Sequence, residues 1–329
     1  MMRLSTMLRV DGATSAEGRN PVAEAALERW PHDPGSLRFF RSSANFVHVF
    51  RADGAVHFLR LAEQSERRRV AIEDELALLR VLAERGLPVA IPHDSDRGRS
   101  VETLVTSAGV FHACAFAALS GEPWDEDDEL SADRLIRWGE GLGRLHAAAR
   151  ELPRAFAPSR DTHEDRLGFI GSHLGGDERA RRELESISTA LGRLPIDDRT
   201  YGLVHGDFEL DNLFWNGTLS GIADFDDSFH CWYLADVAFA LGSVLSSPSE
   251  RPASLDSFLA GYSRQCEIDA EVRAVLPIFW RLADLQRYAR LLRALDLPAD
   301  QDYPEWMESL RAKLIAWTAR YLSSLQREP

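Results

Sequence analysis

Two hydrophobic periods divide the chain. Leu37–Arg41, Phe46–Arg51 and Ala55–Leu61 read as strands, with Ala52-Asp53-Gly54 as the hairpin turn between the last two. The period then lengthens: Glu66–Arg85 places Ile72, Leu76, Leu79 and Leu82 on one face of a helix, which Gly86 closes and Pro88 stops. Two more strands follow, Val101–Ser107 and Val110–Ala118, joined through Ala108-Gly109. Ahead of this region, residues 1–20 are polar and aperiodic and read as a loose leader, and Pro21–Trp30 as a short helix with Pro in its first turn. Beyond Gly121 the acidic run Glu122–Glu129 reads as a linker, and from Ser131 onward helical periodicity dominates. Only Gly202–His205, Leu213–Trp215 and Ser220–Asp224 break it as strands. The pattern predicts an α+β protein, with a small β-rich N-terminal lobe over 21–118 and a large helical C-terminal lobe over 119–329.

Composition adds exclusions. With 45% apolar and 27% charged residues in 329, the chain can build an ordinary globular core. A formal charge of −14 argues against nucleic acid and against an anionic membrane, both of which need a basic face. Cys114, Cys231 and Cys266 have no Cys-x-x-Cys spacing and read as reduced thiols. No apolar stretch with a small-residue cleavage site opens the chain and no apolar run reaches 18 residues, so a cytoplasmic protein is expected. Nothing in the sequence decides between a monomer and a homodimer.

The densest chemistry lies in Leu203–Phe214 and Gly221–Asp227, where short apolar strands bracket polar loops. Asp207, Asn212 five positions later and Asp224 twelve beyond that can converge at the strand ends. Phosphoryl transfer asks a protein for an acceptor for the nucleophile's proton and for oxygen ligands that hold magnesium on the phosphates. These three residues supply that inventory.

The run His205-Gly206-Asp207 with Asn212, followed by Asp224-Phe225-Asp226, resembles the signature of the aminoglycoside phosphotransferase and choline kinase superfamily. The resemblance implies a protein-kinase-like, two-lobed fold and transfer of a phosphoryl group from ATP, with GTP as the alternative donor, to a hydroxyl of a small molecule. By that likeness Asp207 is the catalytic base, Asn212 and Asp224 are Mg²⁺ ligands, His205 braces the loop, and Asp236 anchors it from below. Asp226 and Asp227 stay open as contacts to a second metal. The same likeness puts Arg60 in the strand position of a phosphate-binding cation, usually Lys, and Glu75 in the helix position of its partner; the competing reading is a pair of surface charges. Asn45, in the turn Ser42–Asn45, stands where a phosphate loop belongs, and Ala117 to Leu119 where a hinge would bind the adenine edge. Members of the superfamily phosphorylate aminoglycosides and other antibiotics, choline, homoserine and amino alcohols, so an amine-bearing substrate is expected. Asp161, Asp165 and Asp284 are candidates to meet the amine, or are solvated helix carboxylates; Trp232 and Tyr233 are an aromatic wall or core.

Competing readings meet obstacles. Gly139-x-Gly141-x-Gly143 mimics a dinucleotide fingerprint but lies within a predicted helix with no strand before it. A protein kinase needs a substrate platform after the second metal Asp, and only eleven residues separate Asp224 from Asp236. A metal-dependent phosphohydrolase would use the carboxylates but leave Asn212 and the Arg60–Glu75 pairing without a role.

Overall fold

Asp53 and Gly54 take φ angles of 51° and 76°, the two-residue geometry that matches the twist of a hairpin. In this computed structural model they join β2 (Phe46–Ala52) to β3 (Ala55–Glu63), with Ala52 facing Ala55. β1 (Arg38–Ser42) lies outside β2, and β3 pairs with β6 (Gly109–Ala117). β4 (Pro92–His93) and β5 (Glu102–Thr106) both pair with β6, giving six antiparallel strands in the order β1-β2-β3-β6-β4 with β5 off β6. The structure describes residues 1–12, 20–124, 130–153, 156–157, 159–242, 251–268 and 273–324. Residues 125–129 of the expected acidic linker lie outside them.

The helices are α1 (Leu4–Asp11), α2 (Pro21–Leu27), α3 (Arg69–Glu84), α4 (Ala132–Arg150), α5 (His163–His173), α6 (Glu178–Leu191), α7 (Tyr233–Gly242), α8 (Arg251–Tyr262), α9 (Leu276–Ala294) and α10 (Glu305–Ser324). The predicted apolar face of α3 is buried throughout, from Ile72 at 1% exposure to Leu82 at 0%. The chain forms two compact units. Met1–Ala77, Ile91–Ala118 and Tyr288–Ser323 make the first, and the second is built mainly from Leu78–Ala90 and Leu119–Arg287.

Two expectations need correction in the first unit. The loose leader is a helix over Leu4–Asp11, whose Leu4, Met7 and Val10 are buried. Eight residues are too few for periodicity to declare itself, and residues 13–19 of the leader lie outside the described set. The segment Tyr288–Ser323, expected in the helical lobe, belongs to the first unit, because Leu291, Ala294, Met307 and Leu314 share one core with α1, α2, Phe46, Phe50, Leu59 and Leu61.

In the second unit β7 (Glu122–Pro123), β9 (Leu213–Trp215) and β10 (Leu219–Ile222) form one small sheet, and β8 (Tyr201–Val204) and β11 (Phe229–Trp232) another. The glycines of α4 serve packing. A Cβ on Gly139 would lie 1.9 Å from the Phe258 carbonyl oxygen, and one on Gly261 of α8 1.8 Å from that of Ile136, so α4 and α8 meet backbone to backbone. No helix among the described residues is long and apolar enough to cross a membrane.

Candidate active site

β8 ends at Val204 and delivers His205, Gly206 and Asp207 into a loop that closes through a 3-10 turn, Leu210–Asn212, into β9. The loop is hung from a carboxylate beneath it. Asp236, fully buried on α7, accepts from the backbone N–H of His205 and of Gly206, each at 2.7 Å. His146 on α4 meets the same carboxylate at 3.0 Å, and its other ring nitrogen meets the Tyr262 hydroxyl at 2.8 Å. Burial holds the His146 pKa below its usual value although Asp236 pulls it up, and burial holds the Tyr262 hydroxyl protonated. A neutral His146 therefore donates to Asp236 and accepts from Tyr262. Gly206 has φ of 80°, and a Cβ there would lie 2.5 Å from the Asp227 carbonyl oxygen. Both conditions demand glycine.

Asp207 and Asn212 are bonded to each other. The Asn212 Nδ2 donates to the carbonyl and to Oδ2 of Asp207, both at 3.0 Å. His205 braces the loop: its Nδ1 accepts from the Asp207 N–H at 3.2 Å and its Nε2 donates to the Ala223 carbonyl at 3.0 Å. Burial lowers its pKa, which suits this neutral tautomer. The Ala223 N–H donates to the Asn212 carbonyl at 2.9 Å, so the loop after β8 and the loop after β10 are one hydrogen-bonded body.

Asp224 follows in left-handed backbone, φ 62° and ψ 56°, ahead of a 3-10 turn over Phe225–Asp227. That conformation is costly for a residue with a side chain and persists where its surroundings impose it. Two arginines missed by sequence reasoning hold the turn that follows Asp224. Arg160 donates to the carbonyls of Phe225 and Asp226, and Arg166 to that of Asp227. No sequence signal marks them, since their acceptors lie more than 60 positions away.

The first unit carries the nucleotide-directed candidates. Arg60 and Glu75 are 7% and 1% exposed and joined by two hydrogen bonds, so they are no surface pair. The Arg60 guanidinium also lies 5.1 Å from the centre of the Phe116 ring. Asn45 is buried, and its carbonyl accepts from the Ser43 N–H to close the β1–β2 turn. Ala117 donates its N–H to Ile91 and Ala118 to Val56, which leaves them no N–H for an adenine edge. The Leu119 N–H has no backbone partner among the described residues.

The candidates for amine recognition fare less well. Asp165 closes a capping box with Thr162 at the start of α5, and these bonds lower its pKa; it is a helix cap. The Asp161 carboxylate lies 3.3 Å from Arg166 Nε, and that of Asp284 lies 3.8 Å from Arg287 one turn along. Trp232 and Tyr233 are 4% and 3% exposed and belong to the core, not to a pocket wall. The Trp232 Nε1 donates to the Pro195 carbonyl, and Arg150 lies over the Tyr233 ring, whose hydroxyl burial pushes up to about 12.

The donor set suits a hard divalent cation. The Asn212 amide nitrogen is turned to Asp207, so Oδ1 is the atom that Asn212 has to offer a metal. Among the described residues no cluster of three or more His, Cys, Asp or Glu side chains could hold a metal unaided. Mg²⁺ asks for less, taking one or two protein oxygens and filling its octahedron with phosphate and water. Asn212 and Asp224 match that demand.

Known proteins share this arrangement of chain. Amicoumacin kinase of Bacillus subtilis (strain 168) is 26% identical over 288 residues, covering 84% of this chain and 85% of its own. Homoserine kinase of Rhodopseudomonas palustris (strain BisB18) is 30% identical over 246 residues, covering 70% of this chain and 72% of its own. A solved amicoumacin kinase in complex with AMP-PNP, Ca²⁺ and Ami has the same fold, with a TM-score of 0.77 at 22% identity over 94% of this chain and 95% of that one. A microcompartment-associated aminopropanol kinase matches with a TM-score of 0.67 at 23% identity, over 92% and 98%. The sequence model of the phosphotransferase enzyme family matches residues 36–276. This chain, with its protein-kinase-like α+β fold, belongs to the phosphotransferase enzyme family, whose kinases act on hydroxyl groups of small molecules.

Proposed function

We propose that the protein moves the γ-phosphoryl group of ATP, with Mg²⁺, onto a hydroxyl of an amine-bearing small molecule. One observation carries the reading: Asn212 holds the Asp207 carboxylate and carbonyl together while the same loop is bonded to the segment that presents Asp224. A divalent cation on Asn212 and Asp224 would neutralise charge on the phosphates. Asp207, oriented before the substrate arrives, receives the hydroxyl's hydrogen bond and takes its proton as the new O–P bond forms and the bond to the ADP oxygen breaks. Arg60, held rigid by Glu75, serves as the phosphate cation. Its planar fork is engaged by Glu75, so it would bring the phosphates a fixed, delocalised charge where a Lys would offer a mobile point charge.

The amine preference is compatible with the net charge of −14, which admits a cationic ligand and serves solubility as well. It is supported by relatives named for homoserine and aminopropanol, each of which carries an amine and a hydroxyl. The test is direct. The purified protein is incubated with Mg²⁺, ATP or GTP, and a panel of aminoglycosides, peptide antibiotics, choline, homoserine and amino alcohols, and mass spectrometry looks for one added phosphoryl group. A product made by the wild type and reduced about a thousandfold in Asp207→Ala, with nucleotide still bound, supports the reading. Near-normal turnover in Asp207→Ala overturns the assignment of the base, and no product with no Mg²⁺-dependent nucleotide binding overturns the kinase reading.

A further inference from the structure

The turn after Asp224 is held by side chains that come from elsewhere in the sequence. Arg160 Nη2 donates to the Phe225 carbonyl at 3.0 Å and Nη1 to the Asp226 carbonyl at 2.8 Å. Arg166 Nη2 donates to the Asp227 carbonyl at 3.0 Å. Three successive carbonyls are thus taken by two guanidinium groups. Arg160 is only 6% exposed, and the Arg166 guanidinium lies 4.8 Å from the centre of the Phe229 ring. The segment carrying them is fixed in turn. The Arg160 N–H donates to Ala157, the His230 N–H at the start of β11 donates to Asp161, and the Arg166 N–H donates to Thr162.

A buried guanidinium is an expensive way to fill space, and an apolar side chain of similar volume often stabilises a fold as well or better. What Arg160 adds is a rigid fork that sets two neighbouring carbonyls at once. The residue that gains is the one just before them. Asp224 stands in left-handed backbone that a non-glycine residue keeps only under constraint, and its carboxylate direction follows from the turn that the arginines hold.

We propose that Arg160, with Arg166 beside it, is a positioning residue that sets the metal affinity of Asp224 by clamping the carbonyls of Phe225, Asp226 and Asp227. The inference rests on the reading of Asp224 as a metal ligand. Neither arginine touches the metal or the reacting atoms in this scheme. Arg160 acts through the backbone, and Arg166 through the backbone and through ion pairs with the Asp161 and Asp227 carboxylates at 3.3 and 3.8 Å, as outer partners of metal ligands do. Charge and geometry separate in the choice of variant: Arg160→Lys keeps the cation but not the fork, and Arg160→Met removes both.

The experiment uses the full chain and Mn²⁺ as the spectroscopic stand-in for Mg²⁺. Mn²⁺ binding in the presence of a non-hydrolysable ATP analogue is followed by electron paramagnetic resonance. Analogue binding without metal and thermal melting are measured alongside. Arg160→Met is expected to weaken Mn²⁺ binding about tenfold and Arg160→Lys by a comparable factor, while metal-free analogue binding changes less than about twofold. In turnover, the half-saturating Mg²⁺ rises while kcat at saturating Mg²⁺ falls much less. A folded Arg160→Met with wild-type Mn²⁺ affinity overturns the proposal. If Arg160→Met fails to fold, Arg160→Lys and Arg166→Met carry the test, and unchanged affinity in both overturns it. A wild type that binds no Mn²⁺ with the analogue sinks the metal-ligand reading of Asp224 itself, and this proposal with it.

Discussion

The Arg60 guanidinium and the Glu75 carboxylate meet in two parallel hydrogen bonds, Nη1 to Oε1 at 2.7 Å and Nη2 to Oε2 at 2.8 Å. Strand β3 supplies one partner and α3 the other, and both are almost wholly buried. The geometry makes the two partners unequal under mutation. Glu75→Ala strands a buried guanidinium and is expected to cost about 3 kcal/mol or more. Arg60→Lys keeps the charge, loses one of two hydrogen bonds, and is expected to cost about 1 kcal/mol while keeping turnover within about tenfold. Urea unfolding and the KM for ATP check both. Equal loss of stability in the two variants would show that the pair is not the fork seen here.

Asp236 collects three donors on one carboxylate: the N–H groups of His205 and Gly206 and the imidazole of His146. Asp236→Asn replaces an acceptor oxygen by an NH₂ group that faces donors. The variant is expected to lose about 2–3 kcal/mol, because charge-assisted bonds are lost and a buried donor is left unmet. Turnover should fall further than binding of nucleotide, since the loop that carries Asp207 hangs from this carboxylate. A variant with wild-type melting and kcat would refute the anchoring role.

How much of this was legible in the chain depends on the range of each contact. The closeness of Asp207 to Asn212 can be read because only five positions separate them, and the β2–β3 hairpin because Asp53-Gly54 suits its turn. Helix α3 can be read because sixteen residues display its apolar face. The clamp of Arg160 and Arg166 has no such signal: a guanidinium seeking backbone carbonyls can find them anywhere. Trp232 and Tyr233 were ambiguous for a related reason, since an aromatic residue looks the same whether it lines a pocket or fills a core. The apolar residues of α9 and α10 are spread round the helix with no sharp face, so the sequence does not tell which part of the chain covers Leu291, Ala294, Met307 and Leu314.

Glu66 ties three segments of the first unit together, accepting from Arg3 and Thr6 of the N-terminal region and from Arg293 of α9. Burial alone would raise its pKa, but the bonds from Arg293, Thr6 and Arg3 outweigh that and hold it at about 2. The unfolded value is the ordinary one near 4.5, so the folded state binds a proton less readily. The resulting stability is fully present above pH 4.5 and is lost as pH falls toward 2. Glu66→Gln should lower stability at pH 7, and the gap to wild type should close as the pH is taken down through that window. Melting curves across pH 7 to 2 check this, and a gap that stays constant with pH would exclude an ionised Glu66 as the hub.

His48 faces inward from β2 between Phe46 and Phe50, is 3% exposed, and has no hydrogen-bond partner for either ring nitrogen among the described residues. The Phe39 ring meets it edge to face at 5.7 Å. Burial pushes its pKa from 6.5 down to about 4. Above pH 6.5 both folded and unfolded chains hold it neutral and it costs nothing in charge. Between 6.5 and 4 the unfolded chain takes up a proton that the folded one refuses, so stability drains away as the pH falls, by about 3 kcal/mol over the window. This interval overlaps the one assigned to Glu66 only between about 4.5 and 4, so the upper part of a titration reports His48 and the lower part Glu66. His48→Leu keeps an apolar group of similar size on the buried face and is expected to flatten the stability curve between pH 6.5 and 4, becoming more stable than wild type near pH 5. Parallel curves for variant and wild type would mean that His48 is solvated or partnered in solution.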